Sequence, residues 1–172
     1  MNQSENDKFN ELVVPHFDSA FNLARWLLGS DADASDVLQE SSIKAFRFIH
    51  KMKTKNTRAW FFQIVRNTCY TMLKSKKSFV EIDFENAIED PSPTAEAVLS
   101  ENTTAREIRR SLDELSVQHR EILILREIEE LSYDEIAEVL DLPEGTVMSR
   151  LARARQLLKK KLSVKGDLYE AR

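Results

Sequence analysis

The sequence predicts an all-α protein built from two small helical domains that a flexible acidic linker joins. The chain has 172 residues but only 3 glycines and 4 prolines, so residues that form turns are scarce. Leu, Glu, Ala, Arg and Lys, which favour helices, are abundant. The stretch Asp90-Pro91-Ser92-Pro93-Thr94 suits neither a helix nor a strand, and it lies between two segments with helical periodicity.

Charged residues are arranged in blocks along the chain. Residues 41–80 contain ten Lys or Arg and no acid, residues 81–101 contain seven acids and no base, and residues 142–161 contain six bases and one acid. Solvated surfaces usually mix the two signs, so the basic blocks predict a polyanionic partner even though the whole chain carries a net charge of -4. Chance clustering on a solvated surface is the alternative.

The acidic block is also poor in apolar residues and contains two of the prolines, which predicts a linker with little structure. The expected organisation is an N-terminal domain at residues 1–77 and an acidic linker at residues 78–105. A second domain is expected at residues 106–163, followed by a C-terminal tail at residues 164–172.

Composition excludes several classes of protein. The single cysteine, Cys69, cannot form an internal disulfide, and with three widely separated histidines it gives no zinc-ligand spacing. No apolar run approaches the roughly 20 residues that span a bilayer, and the polar N-terminus is unlike a signal peptide. The sequence contains no phosphate-binding loop and no nucleophile–base pair. We therefore expect a cytoplasmic protein with no metal, no cofactor and no enzymatic activity.

The C-terminal segment shows the pattern of a helix, a short turn and a basic helix. Ser132 is a predicted N-cap for the helix Tyr133–Leu140, and Glu135 completes a capping box. Pro143 fits the first turn of the helix that follows. Upstream, Ser116 is predicted to divide a longer helical stretch by capping its second part. This order of elements is typical of a helix-turn-helix domain.

The basic helix has two distinct sides when its residues are placed at about 100° intervals. The side predicted to be buried contains Val147, Leu151, Ala154 and Leu158. The opposite side contains Ser149, Arg153, Gln156 and Lys160, flanked by Thr146 and Arg150. Small polar side chains and arginines suit the major groove of DNA, where Arg can donate two hydrogen bonds to guanine. A solvated basic helix within a helical bundle is the alternative.

The stretch LSYDEIAEVLDLPEGTVMSRLARARQLL resembles region 4 of bacterial extracytoplasmic-function (group IV) sigma factors, a branch of the sigma-70 family. The usual form there is close to LSYEEIAEILGIPEGTVKSRLSRAR. In that family this helix reads the −35 promoter element. Together, the resemblance and the outward side of the helix imply −35 contacts at Thr146, Met148, Ser149, Arg150, Ala152 and Arg153.

Three residues depart from the usual region 4 pattern. Met148 replaces a frequent Lys or Arg, so one phosphate or base contact is lost or becomes apolar. Asp141 and Glu130 each replace a common glycine. Asp can adopt the left-handed backbone conformation that glycine favours, at some energetic cost.

The stretch DADASDVLQESSIKAFRFI resembles the DAEDLVQEVFLKAW signature of sigma region 2. We expect a helix from about Ala34 to Met52, with a buried side formed by Leu38, Ala45, Ile49 and Met52. A second side contains Asp36, Gln39, Glu40, Ile43 and Arg47. In the family this side binds the coiled-coil clamp helices of the beta-prime subunit of core RNA polymerase. A single exposed isoleucine with no partner is the alternative. Ser41 and Ser42 replace apolar family residues, so looser packing is expected.

Residues 51–77 resemble the family's −10 segment, in which the loop before the helix captures a flipped base. Phe61, Ile64, Val65 and Met72 are predicted to face inward, with Cys69 at the edge of the core. Phe62, Gln63, Arg66, Asn67, Tyr70 and Lys74 are predicted to face outward or to lie at the edge. Aromatic rings among cations suit unstacked bases. The resemblance implies −10 contacts at Lys53, Thr54, Lys55, Asn56, Trp60, Phe62, Arg66 and Asn67.

These resemblances imply a sigma factor with a region 2 helical bundle and a region 4 helix-turn-helix domain. Such a protein binds core RNA polymerase, directs it to promoters through the −10 and −35 elements and helps to open the duplex, without catalysing a reaction. Family members are usually held inactive by an anti-sigma factor, so a partner of that kind is implied. The alternative is a helix-turn-helix regulator that binds an operator without polymerase, and a gel shift with and without core polymerase separates the two.

We expect limited proteolysis of the free protein to cut first within residues 81–104, because this stretch is acidic, contains proline and has few apolar residues. Mass spectrometry of the earliest fragments checks this expectation. Early fragments that keep residues 81–104 intact would indicate an ordered connector.

Overall fold

The computed structural model describes residues 3–82 and 103–170, with side-chain surroundings for residues 4–77 and 103–163. All secondary structure in these ranges is helical, which confirms the predicted all-α class. The chain divides into two compact units, one from the N-terminal helices and one from most of the C-terminal half. Most of the predicted linker and the last two residues of the tail lie outside the described residues.

Four α-helices form the N-terminal unit: α1 (Gln3–Leu12), α2 (Phe17–Leu28), α3 (Asp31–Phe48) and α4 (Thr57–Ile82). Short 3-10 turns at Val14–His16 and Ile49–Lys51 follow α1 and α3. Helices α2, α3 and α4 pack pairwise against one another. The result is a small helical bundle whose core lies among these three helices.

A chain of aromatic contacts ties α1 to the bundle. The ring of Phe9 lies edge-on to Phe46 at 5.4 Å and to Phe17 at 6.2 Å between ring centroids. Phe17 in turn stacks on Phe61 of α4 at 5.7 Å. Edge-on and offset contacts at these distances are the favourable arrangements for aromatic rings. One connected cluster therefore joins α1, α2, α3 and α4.

Helix α3 starts and ends earlier than the sequence predicted. Ser30 caps the helix by accepting a hydrogen bond from the Asp33 backbone N–H at 3.2 Å, so α3 begins at Asp31 instead of Ala34. It ends at Phe48, before the tight turn, instead of at Met52. The acidic residues of its first turn are favourable there because of the helix dipole.

The buried line of α3 is also shifted from the prediction. It consists of Ala34, Val37, Ser41 and Ala45, and it continues into Ile49. The predicted members Leu38 and Met52 are only half-buried. The Ser41 hydroxyl is fully buried without a hydrogen-bond partner, which costs stability relative to an apolar side chain.

Helix α4 is capped by Asn56, whose Oδ1 accepts a hydrogen bond from the Ala59 backbone N–H at 3.0 Å. The predicted inward positions Phe61 and Val65 are fully buried, while Ile64 and Met72 are half-buried. Two predictions were wrong. Phe62 is fully buried instead of facing outward, and Cys69 lies within the core instead of at its edge. A core-facing side of α4 wider than one stripe accounts for both differences.

The C-terminal half contains α5 (Thr103–Asp113), α6 (Val117–Leu123), α7 (Tyr133–Leu140) and α8 (Glu144–Glu170), with a π-helical turn at Ile124–Ile128. Two predicted caps are confirmed. Ser116 accepts a hydrogen bond from the His119 backbone N–H and so separates α5 from α6. Ser132 and Glu135 form the capping box of α7, with bonds of 2.8 and 3.2 Å. Helix α8 continues through residues 164–170, which were predicted to form a tail.

Both residues that replace family glycines adopt left-handed backbone conformations. The φ angle is 54° at Glu130 and 52° at Asp141. Glu130 follows the π-helical turn, where the Glu129 N–H donates to the Ile124 carbonyl at 2.9 Å. Arg126 Nη1 closes this turn by donating to the Leu131 carbonyl at 2.7 Å. A side chain with a Cβ is strained in this region, more so for Glu than for Asp.

We expect Glu130→Gly to raise the free energy of unfolding by about 0.5–1 kcal/mol, because glycine adopts this conformation without strain. Asp141→Gly should give a smaller gain, because Asp tolerates the left-handed region better. Denaturant unfolding of each variant measures the effect.

Asp134→Gly is the matched control, since Asp134 is exposed and lies in regular helix. This variant should lose about 0.5–1 kcal/mol, a few tenths from helix propensity and the rest from the favourable interaction of Asp134 with the helix dipole. A loss of stability in Glu130→Gly comparable to that of the control would contradict the strain that we infer at residue 130.

Candidate functional site

Helix α8 packs against α5 and α6 along the side that the sequence predicted. Val147 and Ala154 are fully buried and Leu151 is 1% exposed, while Leu158 is half-buried. The burial of three residues at steps of four and three fixes the rotation of the helix about its axis. Every other side chain of α8 up to residue 163 is therefore placed by this contact.

The outward side of α8 carries the six candidates for DNA contact. Met148, Ser149, Ala152 and Arg153 are exposed, and Thr146 and Arg150 are half-exposed. The Ser149 hydroxyl donates a hydrogen bond to the Thr146 carbonyl at 3.1 Å, so it leaves its oxygen lone pairs toward solvent. A Cβ at Gly145 would meet no atom within 4 Å. The start of α8 thus has open space beside its backbone.

The arginines of α8 differ in whether they have an acidic partner. Arg155 donates to Glu127 Oε1 from Nε at 2.8 Å and from Nη2 at 2.6 Å. This hydrogen bond raises the pKa of Arg155 above its ordinary value. No acidic side chain in the described ranges pairs with Arg150 or Arg153. Arg150 and Arg153 are therefore the arginines of this helix that can pair with a phosphate or a base.

The five candidates on α3 all lie on its exposed side. Asp36, Gln39, Glu40, Ile43 and Arg47 are exposed, and Ile43 retains 51% of its surface. The buried line of the helix lies on the opposite side. The exposed isoleucine among polar side chains gives this side of the helix the apolar centre and polar rim of a protein interface.

The loop before α4 divides its side chains between structure and solvent. Thr54 Oγ1 accepts a hydrogen bond from the Asn56 backbone N–H at 3.0 Å, and Asn56 itself caps α4. These two candidates therefore shape the loop. Lys53 and Lys55 are exposed and extend from it. The loop presents two cations on a locally fixed backbone.

The candidates on α4 itself differ in how far they are exposed. Trp60 is half-exposed. Phe62 lies beneath the surface, with the Arg58 guanidinium 5.3 Å from its ring centroid. Arg66 lies 4.5 Å from the ring centroid of Tyr70, which is within the range of a cation–π contact. Phe62 can support the surface from below, but in this structure it cannot touch a base.

Arg66 and Asn67 extend this surface along α4. Asn67 is exposed, and its Oδ1 accepts a hydrogen bond from Arg66 Nη1 at 3.4 Å. Their polar groups therefore lie side by side on the solvent side of the helix.

Sequence reasoning missed two features of these surfaces. The Glu127–Arg155 pair joins residues 28 positions apart, so no local pattern indicates it. Phe48 is 49% exposed, with Lys51 Nζ 5.6 Å from its ring centroid. The absence of acidic residues from residues 41–80 was the signal in the sequence that could have indicated a surface around Phe48.

Two kinds of feature are absent from residues 3–82 and 103–170. No three His, Cys, Asp or Glu side chains there form a group that could hold a metal ion. None of the helices in those ranges has both the length and the apolar character needed to cross a membrane.

The comparisons with known proteins match the two segments that carry these surfaces. The family model for sigma-70 region 2 matches residues 12–79, and the model for sigma-70 region 4 matches residues 105–158. The sigma-E factor of Salmonella typhimurium is 33% identical over 166 residues. The chain belongs to the extracytoplasmic-function sigma factors of the sigma-70 family. The fold class expected from the two resemblances is thereby confirmed.

The relatives differ in how much of their own length this sigma factor covers. SigE of Mycolicibacterium smegmatis is 31% identical over 162 residues, which are 91% of this chain and 62% of SigE. For the Salmonella protein the corresponding shares are 90% and 86%. This sigma factor therefore spans less than two thirds of SigE but most of the Salmonella factor.

A solved structure supports the same assignment. The sigma factor RpoE of Bartonella quintana, crystallised in complex with the anti-sigma factor NepR, matches with a TM-score of 0.76 and 25% identity. The match covers 91% of this chain and 97% of that one. The two proteins thus share their fold over nearly their full lengths.

We expect Met148→Lys to steepen the salt dependence of promoter binding by the reconstituted polymerase complex by about one unit of slope. The reason is that the exposed side chain at residue 148 extends from the outward side of α8, where a lysine can reach a phosphate. Binding measured over a series of salt concentrations gives the slope. Met148→Leu is the control and should keep the original slope. An equal slope for all three proteins would show that residue 148 does not approach the DNA backbone.

Proposed function

We propose that this sigma factor contacts core RNA polymerase through α3, the −35 element through α8 and the opened −10 element through the loop before α4. Binding core polymerase, selecting promoters through these elements and helping to open them is what the family does. As a member, the chain is an initiation factor and not an enzyme. The observation that carries the assignment is that the candidates on α3 and α8 lie away from a buried line of their own unit, while Lys53 and Lys55 extend from a loop held by hydrogen bonds.

The polymerase contact is centred on Ile43. Its neighbours on the exposed side of α3 are charged or polar, so removing the isoleucine from water is the main apolar gain available there. Glu40 is held by an ion pair with Lys44 at 2.5 Å, and Lys44 also donates to Thr68 Oγ1 at 3.2 Å. These bonds anchor the polar part of the surface to α4. The clamp helices of the beta-prime subunit are the proposed partner.

The −35 contact uses the first half of α8. Arg153 is exposed and has no acidic partner within the described residues, so its guanidinium can donate two hydrogen bonds to a guanine. Ala152 adds little bulk beside it, and Met148 is an apolar side chain where the family often has a cation. The start of α8 is also the positive end of a helix dipole, which attracts phosphate.

The −10 contact uses Lys53 and Lys55 of the loop together with Trp60, Arg66 and Asn67 of α4. The two lysines can pair with phosphates, while the rings and guanidinium groups can stack with unpaired bases. Thr54 and Asn56 hold the loop in shape, and Phe62 supports α4 from within. The proposed −10 surface therefore contains fewer direct contacts than the sequence predicted.

An anti-sigma factor is the proposed regulatory partner. The Bartonella relative was crystallised with one, and this chain matches that relative over 91% of its length. Members of the family act where the polymerase is, so we place this sigma factor in the cytoplasm. Co-purification from cells with a tagged chain would identify the partner.

An operator-binding regulator is not favoured, because both a region 2 and a region 4 model match the chain. A gel shift tests the choice directly. The sigma factor should shift promoter DNA specifically only with core polymerase present. A specific shift by the chain alone, unchanged by polymerase, would support the regulator instead.

The two contact surfaces can be separated by substitution. Ile43→Asp places a charge in an apolar contact, which costs several kcal/mol if it stays unpaired, so core binding should be lost. Arg153→Ala should leave core binding intact and lower discrimination against altered −35 sequences by about 1–3 kcal/mol. The two residues belong to different units, so their effects should add without coupling. Core affinity and binding to altered promoters are measured for each variant.

The chain offers a control for each substitution. Val14 is 40% exposed in the same unit as Ile43 but lies outside the α3 surface, so Val14→Asp should bind core normally. Arg155→Ala removes an arginine that pairs with Glu127, so −35 discrimination should persist. The assignment is wrong if Arg153→Ala weakens core binding as much as Ile43→Asp does.

A further inference from the structure

The last residue of α3, Phe48, presents an aromatic ring to solvent. The side chain is 49% exposed, and no other aromatic side chain in the part of the chain that the structure describes is exposed to this extent. Burying a phenylalanine stabilises a protein by about 1.5–3 kcal/mol, so a ring left in water has not used this gain. The ring is therefore available for a partner.

One face of the ring is already matched to a cation. Lys51 Nζ lies 5.6 Å from the ring centroid, within the range of a cation–π interaction. From residue 51 onward the exposure alternates. Lys51, Lys53 and Lys55 are exposed, while the residues between them are half-buried. The ring thus precedes, along the chain, three exposed lysines at alternate positions, and the first of them lies beside it.

The backbone under this row is held in place. Ile49, next to the ring, is fully buried, and its carbonyl accepts hydrogen bonds from the Met52 N–H at 3.3 Å and from Lys8 Nζ at 3.5 Å. The other end of the row is fixed by the Thr54 and Asn56 bonds already described. The ring and the lysines therefore project from a preorganised support, which lowers the entropy cost of binding.

The charges around the ring select the class of partner. No acidic residue occurs between positions 41 and 80, so an anionic partner meets no repulsion from this segment of the chain. An aromatic ring beside a row of cations fits a flat base attached to a phosphate backbone. Phe48 lies five residues from Ile43, about 140° around the helix, so its ring points away from the centre of the surface proposed for polymerase.

We propose that Phe48 and Lys51, with Lys53 and Lys55, form a platform on which one unpaired base of single-stranded DNA stacks. This platform extends the −10 surface toward the end of α3 and rests on the proposed function, in which the loop engages the opened strand. The ring provides the stacking surface, and the lysines pair with the neighbouring phosphates. Stacking of this kind does not depend on the identity of the base.

The test compares two single strands of about 20 nucleotides, oligothymidylate and its abasic analogue, which keeps the phosphates and lacks the bases. Binding is measured with the reconstituted polymerase complex, and binding to core alone is subtracted. Phe48→Ala should reduce the preference for the strand with bases by about fivefold or more. Phe48→Trp should restore that preference. Lys51→Gln should weaken binding to both strands and lower the salt slope.

Val14→Ala is the matched control, because it also shortens an exposed apolar side chain of the same unit. If Phe48→Ala keeps the full preference for the strand with bases, while its complex still forms and transcribes, the platform is wrong and the proposed function stands. Reduced core binding by Phe48→Ala would place the ring in a protein interface and overturns the platform too. If the wild-type chain fails to bind core, the proposed function is wrong. In that case the binding of the chain alone to the same two strands decides whether the platform exists.

Discussion

Burial of a single line of side chains decides which residues of each contact helix face outward. In α8 the line is Val147, Leu151 and Ala154, all at most 1% exposed. Successive residues turn by about 100°, so this contact fixes the rotation of the helix and places Arg153 on its solvent side. The same argument applies to α3, where the buried line leaves Ile43 exposed on the other side. The functional surfaces are consequences of core packing.

Polar partners inside the fold then determine which outward groups are available. Arg153 and Arg155 are two residues apart, yet Glu127 holds only the second. In the loop before α4, Thr54 and Asn56 bond to backbone groups, and the lysines between and beside them have their charges in solvent. A charge already paired within the protein gains less from a phosphate, because the existing partner must first be released. Ion pairs and hydrogen bonds within the protein thus leave only a few residues of each basic segment available to bind DNA.

Local signals in the sequence were enough to predict helices over α3, α4 and the C-terminal half, but α1 and α2 were not predicted, and neither were the contacts between distant residues. The capping box at Ser132 and the buried stripe of α8 follow from spacing alone, and the structure contains both. Phe62 is buried because a broad side of α4 packs against the rest of its unit. The periodicity of α4 alone does not specify how broad that side is. The start of α3 differs from the prediction because the Ser30 side chain caps the helix three residues before Asp33. The π-helical turn has no sequence signature of its own.

Strain at the two ends of α7 shows how packing outweighs local preference in this fold. Glu130 and Asp141 are held at φ of 54° and 52°, at a cost of about 1–2 kcal/mol for an ordinary residue with a Cβ and less for Asp. Their neighbours Leu131 and Leu140 are 0% and 4% exposed. Burying a leucine stabilises by about 1.5–3 kcal/mol, so each buried neighbour offsets the strain beside it. The turns around the helix-turn-helix therefore keep the geometry that glycine would give, and the position of α8 does not depend on glycine at either site.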